Sequence, residues 1–232
     1  MLFTSDERLS DSPFVEKIWH TQTVQTGTFL SVAVTHWEMV VSNFQGKLMV
    51  TVRGPETMPT NAHVTETGEE CFGIVFKLGT IMQPLPVEKL VNDWIHLPDA
   101  SSRAVWLQGS AWPVPTYENA DTFVERMVRE GLLAREPIVE AALQGHIKDM
   151  SLRSVQRRFL RSTGLTQGEI YQIERARQAH ALLLGGAAIL DVVEQLGYSD
   201  QPHMTRLLKR YLGQTPAQII LKPMPTSLDS YS

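Results

Sequence analysis

Two short stretches in the last third of the chain carry side chains suited to meeting a polyanion. In MSLRSVQRRFLRSTG, Arg153, Gln156, Arg157 and Arg161 fall roughly opposite Leu152, Val155 and Phe159 on a helical wheel. The apolar side is expected to pack, which leaves the basic side free for a ligand. Ser151 is placed to cap the N-terminus and Gly164 to end the helix. That predicts about three turns, a length that suits the major groove of duplex DNA. In the second stretch, Met204, Leu207, Leu208 and Tyr211 recur as an inward stripe, and Pro202, Thr205, Arg206 and Lys209 stay outside.

The elements expected to position these groups are also legible. Ile189, Val192, Val193 and Leu196 sit at helical spacing, and Gly197 then breaks the run. A turn at Tyr198 and Ser199 leads into a helix starting near Asp200, with Pro202 in its first turn, where a missing N–H costs nothing. Helix, short turn, helix is the helix-turn-helix plan, in which the second helix meets the bases. Between the two copies, residues 166–169 fit a capping box. Ile173, Ala176, Ala179 and Leu183 follow at helical spacing until Gly185 and Gly186.

The runs SVQRRF, TGLT, IERARQAHALL and ILDVVEQLGYSDQPHMTRLLKRYLGQTPAQI resemble the DNA-binding domain of the AraC/XylS family of bacterial transcription regulators. The resemblance implies two helix-turn-helix units joined by a rigid helix, reading successive major-groove segments about one turn, ~34 Å, apart. By position it makes Arg153, Gln156 and Arg157 base-edge readers of the first unit. Gln201, His203, Thr205 and Arg206 are the matching readers of the second. Arginine can grip guanine with two bonds, and glutamine can pair with adenine. Arg161, Lys209 and Arg210 are better placed for phosphates. For Arg158 and Lys222 an ordinary solvated position is the expectation. The chain departs from the family pattern in three places. QGHIKDM before Ser151 is longer than the usual turn, Met204 and Leu208 stand where phenylalanines are common, and Pro202 removes one backbone donor to phosphate.

Charge divides the 232 residues into unlike halves. Residues 1–136 hold 10 Lys+Arg against 17 Asp+Glu, and residues 137–222 hold 11 against 7. An acidic module joined to a basic one suits a chain of which one half touches DNA. The expected organisation is a domain over 1–135, a DNA-binding domain over 136–222 and a disordered tail over 223–232. A single cysteine, Cys71, excludes internal disulfides and is expected to be a small core residue. No apolar run approaches a membrane span and no signal peptide is evident, so a cytoplasmic location is expected.

Over the first half, residues 1–13 read as a frayed arm, and Phe14, Val15, Ile18 and Trp19 as one face of a helix. From Thr28 the period changes to two. Strands are expected over 28–35, 38–44, 48–53 and 71–77, with a turn at Gln45 and Gly46 and a loop rich in Thr, Glu and Pro before Cys71. A short helix is expected over 87–93. A longer amphipathic one over 119–133 turns Phe123, Val124, Met127 and Val128 inward, and it joins the domains, lines a dimer face, or both. The class is α+β, a β-rich domain followed by an all-α one. The run from VRGPET to FGIVFKLGT resembles the cupin-like sensor domains that such regulators carry, which implies an effector pocket or a dimerisation role. Trp37, Glu38, Phe44, Arg53, Phe72 and Phe76 are the candidate lining residues.

The resemblance as a whole implies a sequence-specific transcription regulator controlled by a small-molecule effector. Its partners would be promoter DNA, a second copy and, for an activator, RNA polymerase, with no cofactor and no membrane. The alternative is a cupin-like metal-dependent enzyme fused to a DNA-binding domain. Against a metal, His36 and Glu38 lie two apart while His63 and His96 are far along the chain, which lacks the dense HxH spacing of such sites. No phosphate loop or nucleophile elbow is present, so no catalysis is expected.

Overall fold

The structure, a computed structural model, describes residues 2–83, 85–147, 150–222 and 224–227. Strands β1 (Phe3–Leu9) and β2 (Val15–Thr23) open the chain, followed by β3 (Gly27–Ser31), β4 (Glu38–Phe44) and β5 (Lys47–Arg53). Next come β6 (Thr60–Val64), β7 (Glu70–Phe76) and β8 (Thr80–Met82), then a single 3-10 turn at Val87–Lys89. Strands β9 (Trp94–His96), β10 (Asp99–Ser101), β11 (Ala104–Leu107) and β12 (Ser110–Pro113) lead into helix α1 (Ala120–Arg129) and strand β13 (Leu133–Arg135). The main sheet has the antiparallel order β1-β2-β7-β4-β5-β9. Strands β3 and β6 pair separately, so the β2–β3 and β6–β7 segments run side by side through both sheets as a rolled ribbon.

Alternation gives the main sheet two unlike faces. Met39, Val41, Val52, Ile74 and Phe76 point into a dry core closed by β11, β12 and the Phe123, Val124 and Met127 face of α1. Trp19, Val40 and Val75 point to the other side, with Glu38 and Arg53.

Several expectations are corrected here. Phe14, Val15, Ile18 and Trp19 belong to a strand region, not a helix. The register of β2 on β7 shifts between Val15 and Lys17, so Val15 and Ile18 reach the same core although three residues apart. A bulge thus imitated helical spacing. Residues 3–9, expected to fray, form β1 on β2, tied by Arg8 to Asp121 and by Lys17 to Glu7. The Thr- and Glu-rich loop contains β6, whose cross-strand partner is β3. The 87–93 helix reduces to the 3-10 turn, and the 119–133 helix ends at Arg129, because Gly131 turns at φ 73° into β13 on β8.

The helical half holds α2 (Pro137–Leu143), α3 (Leu152–Thr163), α4 (Gln167–Leu184), α5 (Ile189–Gln195), α6 (Gln201–Leu212) and α7 (Pro216–Leu221). Its core joins Val155 and Phe159 of α3, Ile173, Ala176 and Ala179 of α4, Val192 of α5 and Met204 and Leu208 of α6. Leu30, Val32 and Ala33 of the first half are buried in this same cluster. The strand expected over 28–35 stops at Ser31 because the chain there leaves its sheet to pack on helices. Ala33 N–H donates to the Tyr211 carbonyl at 2.9 Å, and Thr35 Oγ1 donates to Glu174 Oε1 at 2.8 Å. The disordered tail expected over 223–232 is corrected for residues 224–227, which lie against β3 with Thr226 buried. Residues 223 and 228–232 lie outside the described residues.

Candidate nucleic-acid interface

Each helix-turn-helix unit presents its second helix by means readable in the local sequence. In the first, Ser151 Oγ accepts from Ser154 N–H at the start of α3, and Gly164 closes it at φ 74°. Val155 and Phe159 face the core, and Arg153, Gln156, Arg157 and Arg161 are all exposed. No carboxylate pairs with these three arginines among the described residues. A groove of about 690 Å³ runs from Arg153, Gln156 and Arg157 past Leu160 to Gln167 and Gly168 at the head of α4. Leu152, expected inward, is 69% exposed, because the first residue of α3 overhangs the core. Arg158, expected in an ordinary solvated position, is exposed but paired, held by Glu136 at 2.6 Å. The long turn before Ser151 includes residues 148 and 149, outside the described residues.

In the second unit, Gly197 turns at φ 68° and Asp200 caps α6 by accepting from His203 N–H at 2.6 Å. Pro202 occupies the first turn. Gln201, Arg206, Lys209 and Arg210 are exposed, and Thr205 is half-buried. His203 is half-buried as well. Its ring meets Tyr198 edge to face at 5.7 Å and its Nδ1 lies 3.1 Å from Ser199 Oγ, so it also braces the turn. The Arg210 guanidinium stands over the Tyr211 ring at 5.1 Å. Met204 and Leu208 fill the core in place of aromatics with no exposure, so the volume is kept.

Sequence reasoning missed Arg175. It is 8% exposed on α4, and its guanidinium lies 4.1 Å from the Tyr198 ring centre and donates to the Gly197 carbonyl at 3.4 Å and to Gln172 at 2.9 Å. Tyr198 returns its hydroxyl hydrogen to the Arg175 carbonyl at 3.2 Å. A cation thus pins the turn of the second unit to the connecting helix. Nothing in linear spacing sets Arg175 apart from solvated arginines.

Both α3 and α6 end against the β-rich half. A Cβ on Gly164 would come within 2.7 Å of Val91 Cγ2, and one on Gly213, at φ 73°, within 3.3 Å of both Leu30 and Pro59. Close backbone approach, together with positive φ, explains glycine at both stops. Two separate points on one β-rich scaffold therefore fix the C-terminal ends of α3 and α6.

The six residues named for an effector pocket do not converge. Trp37 stacks on Phe76 at 3.9 Å in the dry core and donates to the Thr80 carbonyl at 2.7 Å. Phe72 points to that same face. Phe44 is 37% exposed at the end of β4. Glu38 and Arg53 point to the opposite face, where a cavity of about 290 Å³ opens between the main sheet and β3–β6. Trp19, Thr51, Arg53, His63 and Cys71 are among its lining residues. Arg53 is held by Glu56 at 2.6 Å and by Glu38 at 3.4 Å, and Trp19 Nε1 donates to Glu38 at 2.9 Å. Burial pushes the Glu38 carboxyl above its usual range, against the pull of Arg53, and burial likewise raises the Cys71 thiol. His36 is not on β4. It is buried beside Thr35, and burial, reinforced by the Arg177 guanidinium, holds it at about 3. Among the described residues no cluster of three or more His, Cys, Asp or Glu side chains is arranged to hold a metal ion. No helix among them is long and apolar enough to cross a membrane.

Residues 147–220 match the family model of a helix-turn-helix domain. Two curated relatives are the HTH-type transcriptional regulators RipA of Corynebacterium glutamicum, 31% identical over 88 residues, and of Corynebacterium diphtheriae, 33% identical over 96 residues. These alignments take in 37% and 40% of the chain, and 27% and 28% of the relatives, so the chain spans about a quarter of their length. Among solved structures, ToxT from Vibrio cholerae aligns over 95% of this chain and 98% of its own, at 8% identity and a TM-score of 0.42.

Proposed function

We propose that this chain, whose residues 147–220 match a helix-turn-helix domain model and resemble the DNA-binding domain of AraC/XylS regulators, is a sequence-specific DNA-binding transcription regulator. The observation that carries the reading is the pairing of two exposed basic faces on one core. Arg153, Gln156 and Arg157 of α3 and Gln201 and Arg206 of α6 stand free, and the apolar sides of both helices close a single cluster. Arginine and glutamine at the exposed positions supply bidentate contacts to bases, and Arg161, Lys209 and Arg210 supply charge to phosphates. His203 is the weakest reader of the set, since its ring is already engaged.

The β-rich half acts in this reading as the sensor, with the cavity behind Arg53 as the effector site. A cavity of about 290 Å³ admits a small molecule, and its polar lining would orient one. Partners beyond DNA are a second copy and, for an activator, RNA polymerase.

Selection of bound sequences from a random duplex pool with the purified chain, at near-physiological salt, tests the reading. The expected outcome is a motif with two blocks about one helical turn apart. Recovery of only salt-sensitive, sequence-blind binding would refute it.

A further inference from the structure

One wall of the cavity comes from the far end of the chain. After α7 the backbone returns across the first half. Met224 N–H donates to Gln214 Oε1 at 3.0 Å, Leu30 N–H to the Pro225 carbonyl at 2.9 Å, and Val32 N–H to Ser227 Oγ at 3.1 Å. Thr226 forms a parallel bridge to Leu30 and is 1% exposed. Ser227 then lines the cavity together with Trp19, Thr51 and Arg53.

The receiving stretch, residues 30–33, has a second engagement. Ala33 N–H bonds the Tyr211 carbonyl in the last turn of α6, and Leu30 packs under Gly213 at that helix's end. Residues 30–33 therefore lie between the cavity and the reading helix of the second unit. The strap joins them to the segment that follows that unit.

We infer that residues 224–227 are the element through which the cavity and the second helix-turn-helix unit sense each other, with Ser227 a contact of the cavity's occupant. The inference rests on the reading of the chain as a regulator with an effector cavity. An occupant that touches Ser227 gains affinity only when the strap is seated, so it stabilises the seated form by its differential affinity. Linkage makes the effect reciprocal, since DNA that prefers the seated arrangement of α6 must also tighten the strap. The seated strap holds α6 in a preorganised position, so its release weakens DNA binding.

Reciprocity makes the test independent of the effector's identity. The probe is the duplex recovered in the selection above. Amide hydrogen exchange at Leu30 and Val32 is followed in the full chain with and without it, and DNA affinity is measured for the full chain, for a chain ending at Lys222 and for Ser227→Ala. The expected result is exchange slowed about fivefold or more by DNA, with affinity lowered about fivefold or more in the shortened chain. Ser227→Ala, which removes one acceptor and leaves the rest of the strap, is expected to speed Val32 exchange more than Leu30 exchange. It also serves if the shortened chain does not fold. Unchanged exchange on DNA binding, with either variant binding DNA within about twofold of the full chain, overturns the strap while leaving the regulator reading intact. Failure of the unaltered chain to select any duplex overturns both.

Discussion

The two helix-turn-helix units are held by different physics. The first leans on the β-rich half through close apolar contact at Gly164 and Val91, with the partly exposed Arg158–Glu136 ion pair beside it. The second has a like apolar contact at Gly213, Leu30 and Pro59 and is fastened in addition by polar groups. Arg175 pins its turn to α4, Ala33 bonds Tyr211 and the strap ties Leu30 and Val32. Apolar packing tolerates small slides, whereas a buried hydrogen bond is strong only at one geometry and costly when broken. The second unit is therefore expected to be the more rigidly placed, and the more exposed to anything that disturbs a polar seam.

Acid gives the largest expected effect. His36 is neutral when folded, with its pKa lowered from 6.5 to about 3 by burial and then by Arg177, and its buried Nε2 has no hydrogen-bond partner among the described residues. Between those values the unfolded chain binds the extra proton. The stability His36 contributes is therefore complete above 6.5 and is lost as pH falls toward 3, at about 1.4 kcal/mol per pH unit. Glu38, whose carboxyl is raised by burial, runs in the opposite direction. Denaturant unfolding of the parent and of His36→Leu from pH 7 to 4 isolates the histidine. If the two stability curves stayed parallel, His36 would not be the acid-sensitive group.

Arg175→Ala is expected to cost about 3 kcal/mol, since it leaves the Gly197 carbonyl without its donor and removes the cation from Tyr198. The second block of the selected motif should degrade before the first. A uniform loss over both blocks would erase the asymmetry between the units. Gly164→Ala probes the apolar seam, where positive φ and the contact to Val91 coincide, and about 1–2 kcal/mol of stability should go, read by thermal unfolding.

Single exposed residues of α3 and α6 come next. Arg153→Ala and Arg206→Ala should each lower affinity by ~1–3 kcal/mol and relax preference at one base position, in different blocks. If Arg153→Ala left affinity and base preference unchanged, α3 would not be a reading helix. The smallest change is that of Lys209→Ala, which should weaken all duplexes alike and reduce the slope of log K against log salt by about 1.

Much of the helical half was legible because its signals are local. Ser151 and Thr166 cap helices through hydrogen bonds to residues three positions on, and glycines at 164 and 197 turn through positive φ. A helix's exposed face follows from its own period, so the basic positions were found without a fold. The effector residues fared worse because they were chosen by type. Trp37, immediately before β4, and Glu38, its first residue, point to opposite faces, and only the pairing of β4 with β7 decided which face was apolar.

By itself, then, the sequence determined the helices of the second unit and its connecting helix, the caps at Ser151 and Thr166, the basic faces and several strand periods, all of which depend on neighbours within a turn or two. Tertiary structure alone decided the rest. A bulge turned an apparent helix into β2, Arg175 became buried rather than solvated, residues 30–33 joined the helical core, and residues 224–227 closed on a cavity some two hundred positions earlier. Such placements are set by which distant surfaces exclude water together and which buried donors find acceptors, and no local period encodes either.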